Sequence, residues 1–212
     1  MKRKSTSPAP HPKALSKQWS QVRSNVIAHE LGHWLVARSV GFATGAITIT
    51  VNQQNPLSPY YQNGDSWLFP APVVTTANEL KTYLEDRICI LYAGIAGQTH
   101  GQGLDSDQMT AIQDRDAATD VRIIKELMPL LRGVYFGPEI DPETSNQQSQ
   151  ELLAALWERT EALVEQVYMK LSWMRERLEN EVLKTNQTYT FAYDQLVSLE
   201  QEYPGESRSN PL

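Results

Sequence analysis

Between Gln18 and Val40 the apolar residues Trp19, Val22, Val26, Ile27, Trp34, Val36, Ala37 and Val40 recur at three- and four-residue steps. That spacing lines one face of an α-helix. Inside the run stands His29-Glu30-Leu31-Gly32-His33. Side chains four apart on a helix lie one above the other, so both imidazoles can reach a single ion. Glu30, beside the first histidine, is placed to reach a water on that ion. A catalytic ion of this kind takes a third protein ligand, so the fold has to bring a second segment against this helix.

Two ligands and a general base within five residues form the HExxH arrangement of zinc peptidases. With four histidines in 212 residues, composition alone produces the pattern at a rate of roughly half a percent. The competing reading is a pair of half-buried histidines satisfied by hydrogen bonds. Gly32 argues for something more specific. Glycine inside a helix costs about 1 kcal/mol relative to alanine, which close approach of another backbone beside the ion would explain.

The chain reads as one mainly α domain with a small antiparallel β-sheet, an α+β fold, between polar ends. Residues 1–17, rich in Ser, Pro and Lys, are expected to be a disordered basic arm, and 203–212 a disordered tail. Residues 18–202 form the expected domain, with a metal-site part at 18–137 and C-terminal helices at 150–202. The longest apolar run, Ile88 to Ala96, is far too short to span a bilayer. The start Met1-Lys2-Arg3-Lys4 leads into no apolar signal segment. Cys89 is the single cysteine and lies in the apolar run, so no disulfide framework exists. A cytoplasmic location is expected. Lys2, Arg3, Lys4, Lys13, Lys17 and Arg23 precede the first acid, Glu30, in a chain of net charge −6. A short basic terminus of this kind is usually solvated, and no nucleic-acid partner is expected.

Beyond the first helix, which Gly41 and Gly45 end near Phe42, Ala46 to Val51 alternates apolar and hydroxyl side chains as a half-buried strand does. Trp67-Leu68-Phe69 is the candidate partner strand. Thr76-Ala77-Asn78-Glu79 is a capping box that opens a second helix. That helix carries small residues at 93, 94, 96 and 97, which suits close packing on the metal helix. Thr99 to Gln113 reads as a loop, Asp114 to Leu131 as a third helix and Pro138 to Gln150 as a linker. A long helix over 151–183 and a short one over Tyr193 to Gln201 complete the chain. The apolar stripe of the long helix is expected to pack on the domain or on a second copy of the chain.

The third ligand is open at this point. Metzincins place glycine three residues after the second histidine and a ligand three further on, but Val36 and Ser39 stand there. His100 is the only later histidine. Carboxylate candidates are Glu79, Glu85 and Asp86 on the second helix, and Asp105, Asp107, Asp114, Asp116 and Asp120 around the third.

The order of these segments resembles the peptidase domain of the FtsH family, membrane-anchored AAA+ zinc proteases. His29 to Ala37 is similar to that family's His-Glu-x-Gly-His helix. Glu85 to Ala96 is similar to its Asp-Arg-Ile segment and the glycine-rich run that follows. Asp116 to Met128 resembles the helix opened by its ligand aspartate, and 155–199 its C-terminal helices. The likeness covers roughly residues 20–200. It implies a zincin-like fold, a Zn2+ cofactor held by His29, His33 and Asp116, and Glu30 as catalytic base. Asp114 and Asp120 are the competitors of Asp116. The family's Arg and Glu after the double glycine are replaced by Ile95 and by Gly97-Gln98, and the Thr-Gly-Ala lead-in to its aspartate is missing. No G-x-x-x-x-G-K-[ST] phosphate loop occurs in these residues. The expectation is therefore a stand-alone zinc metalloendopeptidase acting on unfolded or flexible polypeptide. A separate AAA+ partner would have to supply any unfolding, and the C-terminal helices offer a surface for self-association. The alternative is a catalytically silent zinc-binding regulatory module derived from such a peptidase.

Overall fold

The metal-motif helix is the centre of the architecture. In the computed structural model, which describes residues 12–55, 58–70, 73–138 and 141–205, helix α1 spans Pro12–Ser39. Every residue from Val26 to Ala37 is buried. The helix thus starts earlier than the apolar spacing suggests, and residues 1–11 of the expected arm lie outside the described residues. Its end is a Schellman turn: Phe42 N–H donates to the Ala37 carbonyl and Gly41 N–H to that of Arg38. Gly41 has φ 84°, a left-handed conformation that glycine adopts without a Cβ penalty.

Strands β1 (Ala43–Gln53) and β2 (Tyr60–Phe69) pair antiparallel, with Thr48 opposite Asp65 and Ile49 opposite Gly64. Both strands are longer than their apolar alternation indicates. After β2 come α2 (Ala77–Thr99), α3 (Ser106–Arg115), α4 (Ala118–Phe136) and α5 (Pro142–Glu179). A third strand, β3 (Thr188–Phe191), joins β1 antiparallel before α6 (Tyr193–Gln201), giving the order β2-β1-β3. Helices predominate and the sheet is small, as expected of an α+β chain.

Three apolar clusters hold these pieces together. In the first, Ile27, Leu31, Trp34 and Leu35 of α1 meet Ile47, Ile49 and Val51 of β1 on one side and Leu171, Met174 and Leu178 of α5 on the other. Ile47, Ile49 and Val51 alternate with threonines, so one face of β1 is dry and the other polar. The second joins Leu84, Ile88 and Leu91 of α2 to Ile124, Met128 and Leu131 of α4 and to Leu152 and Leu156 of α5. The third sets Val36 and Ala37 against Ile90, Ala93 and Ala96. The apolar stripe of α5 is thereby used up inside the chain. Cys89 is buried with its thiol toward the Leu156 carbonyl.

The small residues of α2 do what their spacing suggests. A Cβ on Gly32 would lie 2.2 Å from the Ala93 carbonyl oxygen, and one on Gly97 would lie 3.0 Å from that of Ala28. The two helices therefore meet backbone to backbone beside the metal motif. Among the described residues no helix is long and apolar enough to cross a membrane.

Two expected boundaries are corrected. The segment read as the loop Thr99 to Gln113 holds most of α3, opened by a capping box between Asp105 and Gln108. The segment read as the linker Pro138 to Gln150 is mostly the first turns of α5, where Asp141 caps and Pro142 takes the first helical position. Residues 206–212 of the expected tail lie outside the described residues.

Candidate metal centre

His29 and His33 lie on the buried face of α1 at 5% and 6% exposure, their Nε2 atoms 3.0 Å apart. Asp120 approaches from the first turn of α4, with Oδ2 3.2 Å from Nε2 of His29 and 3.4 Å from Nε2 of His33. A tetrahedral zinc ion with ligands at about 2.0–2.1 Å separates its donor atoms by about 3.3–3.4 Å. The two separations to Asp120, 3.2 and 3.4 Å, lie close to that edge length, and the 3.0 Å between the Nε2 atoms is somewhat shorter. Among the described residues this is the one group of His, Cys, Asp or Glu side chains that converges to hold an ion.

Both rings are set in the tautomer that ligation needs. Nδ1 of His33 lies 2.7 Å from the Ile90 carbonyl oxygen, and Nδ1 of His29 lies 3.3 Å from Oε1 of Gln98. Each acceptor can take only a proton, so each ring donates there and leaves Nε2, which faces Asp120, as the atom that would hold an ion. Gln98 is itself fixed, because its amide nitrogen donates to Oδ2 of Asp116 at 2.8 Å. Space for the imidazoles comes from Gly94, where a Cβ would fall 2.5 Å and 2.6 Å from the two Nε2 atoms.

Burial resists the charged form of His33, but the carboxylate of Asp120, the charge of Glu30 and the Ile90 carbonyl outweigh it and push its pKa up to about 9. Burial works against the charged form of Asp120 too. The charge on His33 and the hydrogen bonds from both rings prevail and hold its carboxyl well below the usual range. The N-terminus of α4, which has no side-chain cap, adds a favourable dipole at this carboxylate.

Glu30 is 5% exposed and lines the same cleft of about 340 Å3 as the three donors. The hydroxyl of Ser66 on β2 lies 2.7 Å from its Oε2 and 2.9 Å from its backbone carbonyl oxygen. On its other side Oε1 rests over Gly64, where a Cβ would come within 2.2 Å. The carboxylate is thus held by β2, and an oxygen of the base is left without a steric rival.

The structure brings together His29, Glu30 and His33, and it pairs them with Asp120 where the family likeness favours Asp116. Asp116 is the C-cap of α3, one turn earlier in the chain. Its oxygens accept from Arg115 at 2.7 and 2.8 Å and from Gln98. Burial raises its pKa, yet Arg115 and Gln98 bring it below the ordinary value. Asp116 therefore reaches the imidazoles only through Gln98. Because α4 begins at Ala118, not before Asp116, the first-turn carboxylate that faces the imidazoles is Asp120, the competitor named above. Of the remaining candidates, Asp114 is exposed on α3, and His100 pairs with Glu165 at 3.1 Å. Glu79 and Asp105 serve helix caps, Glu85 accepts from Tyr135, and Asp86 pairs with Arg159.

Gln98, Ser66 and Gly64 were not singled out as site residues by their local sequence, and Gly94 was legible only as part of a small packing face. Gln98 carried a signal, a lone amide in a run of small and apolar residues. Ser66 and Gly64 carried none, since they matter only through strand pairing. Compared with known protein families and with curated proteins, the chain matches none.

Proposed function

We propose that the chain is a zinc-dependent metallopeptidase that hydrolyses peptide bonds in unfolded or flexible polypeptide. The observation that carries this reading is the convergence of Nε2 of His29, Nε2 of His33 and Oδ2 of Asp120 within 3.0–3.4 Å of one another, in one cleft with Glu30. The donor set of two neutral imidazoles and one carboxylate is a catalytic zinc set that leaves a coordination position open. Zn2+ held there supplies Lewis acidity, polarising a carbonyl and acidifying water to a pKa of about 7.

The chain's own residues then divide the work. Glu30, aimed by Ser66, takes the proton of the attacking water and passes it to the leaving amine nitrogen. Asp120 keeps its negative charge at neutral pH, and the Ile90 carbonyl and Gln98 hold the rings in place. Strand β2 is at the sheet edge, and Gln62, Gly64 and Ser66 line the cleft. An extended segment can add to that edge through main-chain hydrogen bonds, which gives affinity with little sequence preference. A cleft of about 340 Å3 is the size of a small-ligand pocket, and it admits extended chain in preference to a folded surface.

The test is metal analysis of the purified protein together with casein hydrolysis, with and without a chelator. One zinc per chain and chelator-sensitive cleavage are expected. Glu30→Gln should keep the zinc and lose cleavage by a factor of about 100 or more. Cleavage by Glu30→Gln at the unsubstituted rate would remove Glu30 from the chemistry. Stoichiometric zinc with no turnover of any peptide would favour the silent binding module.

A further inference from the structure

Arg87, on α2, lines the metal cleft together with Leu91, Ile123 and Asp120. Every other described arginine has an oxygen partner. Arg115 is on Asp116, Arg159 on Asp86, Arg38 on Glu200, Arg122 on Glu126, and Arg23 and Arg175 face Glu179. Arg132 donates to Gln148 and Arg177 to the Trp173 carbonyl. Arg87 alone among the described residues of its type makes no hydrogen bond or ion pair, and its Nη1 is buried without a partner.

A buried donor left unmade costs on the order of 1–3 kcal/mol, more for a charged group. Arg23, Arg159 and Arg175 also bury one unpartnered nitrogen, but each has an acid elsewhere, whereas Arg87 lines a cleft where a bound group can complete it. Burial also pulls the Arg87 pKa below its ordinary value, with Tyr83 and Asp120 opposing the shift. The guanidinium stays cationic, because arginine starts so high. What a planar, unpaired guanidinium in a substrate cleft matches best is a carboxylate, which it can hold through two parallel N–H donors.

We propose that Arg87 is a specificity residue that receives a carboxylate of the bound polypeptide, either its C-terminus or an acidic side chain near the cleaved bond. The proposal rests on the cleft being a substrate cleft, as set out above, though not on turnover. Of the acids that line the cleft, Asp116 is paired with Arg115, Asp120 faces the imidazoles, Glu30 accepts from Ser66, and Asp65 is exposed on β2. None of them pairs with Arg87.

The experiment uses chelator-treated protein, so that a carboxylate on zinc cannot imitate one on Arg87. Binding of three N-terminally labelled alanine tetrapeptides is followed by fluorescence anisotropy. One has a free C-terminus, one a C-terminal amide, and one the amide with glutamate as its last residue. A carboxylate-bearing peptide should bind about tenfold tighter than the neutral amide, the worth of one hydrogen bond to a charged group. Preference for the free C-terminus would mark trimming from chain ends, and preference for the glutamate peptide an acidic cleavage context. Arg87→Gln should bring all three to parity, and Arg87→Lys should keep part of the difference as a point charge. Circular dichroism confirms the fold of each variant, and the peptide comparison on the unsubstituted chain stands even if a variant does not fold. Equal binding of the three peptides, no binding of any, or a difference that survives Arg87→Gln would overturn the proposal. Casein hydrolysis with zinc, scored separately, reports on the peptidase reading alone.

Discussion

Asp116, which closes α3, and Asp120, in the first turn of α4, lie four residues apart and do different work. Asp120 faces both Nε2 atoms, while Asp116 orients Gln98, which orients His29. Replacing Asp120 by Ala should abolish stoichiometric zinc at concentrations where the unsubstituted chain is saturated. Asp116→Ala and Gln98→Ala should weaken zinc by about 10–100-fold each, the usual worth of an outer hydrogen-bond partner. Titration with a competing chelator checks the order. Should Asp116→Ala lose more zinc than Asp120→Ala, the ligand set is wrong. The zinc-free site has its own pH signature. His33 is raised to about 9 from 6.5, so its contribution to stability is complete below pH 6.5 and lost as pH climbs through 9. Asp120 is lowered, so its contribution is present above the ordinary 3.8 and lost in acid. Chelator-treated protein should therefore melt at lower temperature as pH rises from 6.5 to 9. His33→Asn should flatten that slope, and an unchanged slope in that variant would reject the His33–Asp120 pair as its source.

The contact between α1 and α2 decides whether the site exists at all. Gly32→Ala puts a Cβ 2.2 Å from a backbone oxygen that cannot swing away. Overpacking of this kind costs about 1–3 kcal/mol, while helix propensity returns at most about 1. Urea denaturation should show a loss of roughly 2 kcal/mol, and a gain in stability would mean the helices are further apart than described. This contact was legible in advance, because a glycine in a helix and a small-residue face on another are local patterns. So were the capping box at Thr76, the alternation of β1 and the short helix from Tyr193 to Gln201. What escaped was whatever depended on a boundary or a distant partner. The residues after Gly103 look like loop by composition, yet Asp105 and Gln108 close a cap and start α3. The Asp141-Pro142 step is a helix start written in turn residues. Thr188 to Phe191 shows a strand's alternation, but in four residues, too short to stand out without β1 beside it. Whether Asp116 or its competitor Asp120 faces the imidazoles depends on the same kind of boundary, the start of α4.

At the scale of the whole molecule, the ion would join α1 to α4, helices otherwise linked through α2. An ion bound only by the folded chain stabilises it by about 2.7 kcal/mol at a hundred times its dissociation constant. For a domain of this size that corresponds to about 5–10 °C in melting temperature. Scanning fluorimetry should show that fall on chelation and its recovery with added zinc. A melting temperature indifferent to chelator would count against a resident ion in this cleft. The donors are also unevenly spaced along the chain: two sit within one turn of helix, and the third is 91 residues away from the first. A nascent polypeptide would emerge with the imidazole pair assembled and no aspartate to complete it. Hydrolytic competence would then switch on only after α2 has seated and α4 has docked over it. On the reading proposed above, the chain would have no complete metal site until α4 is in place.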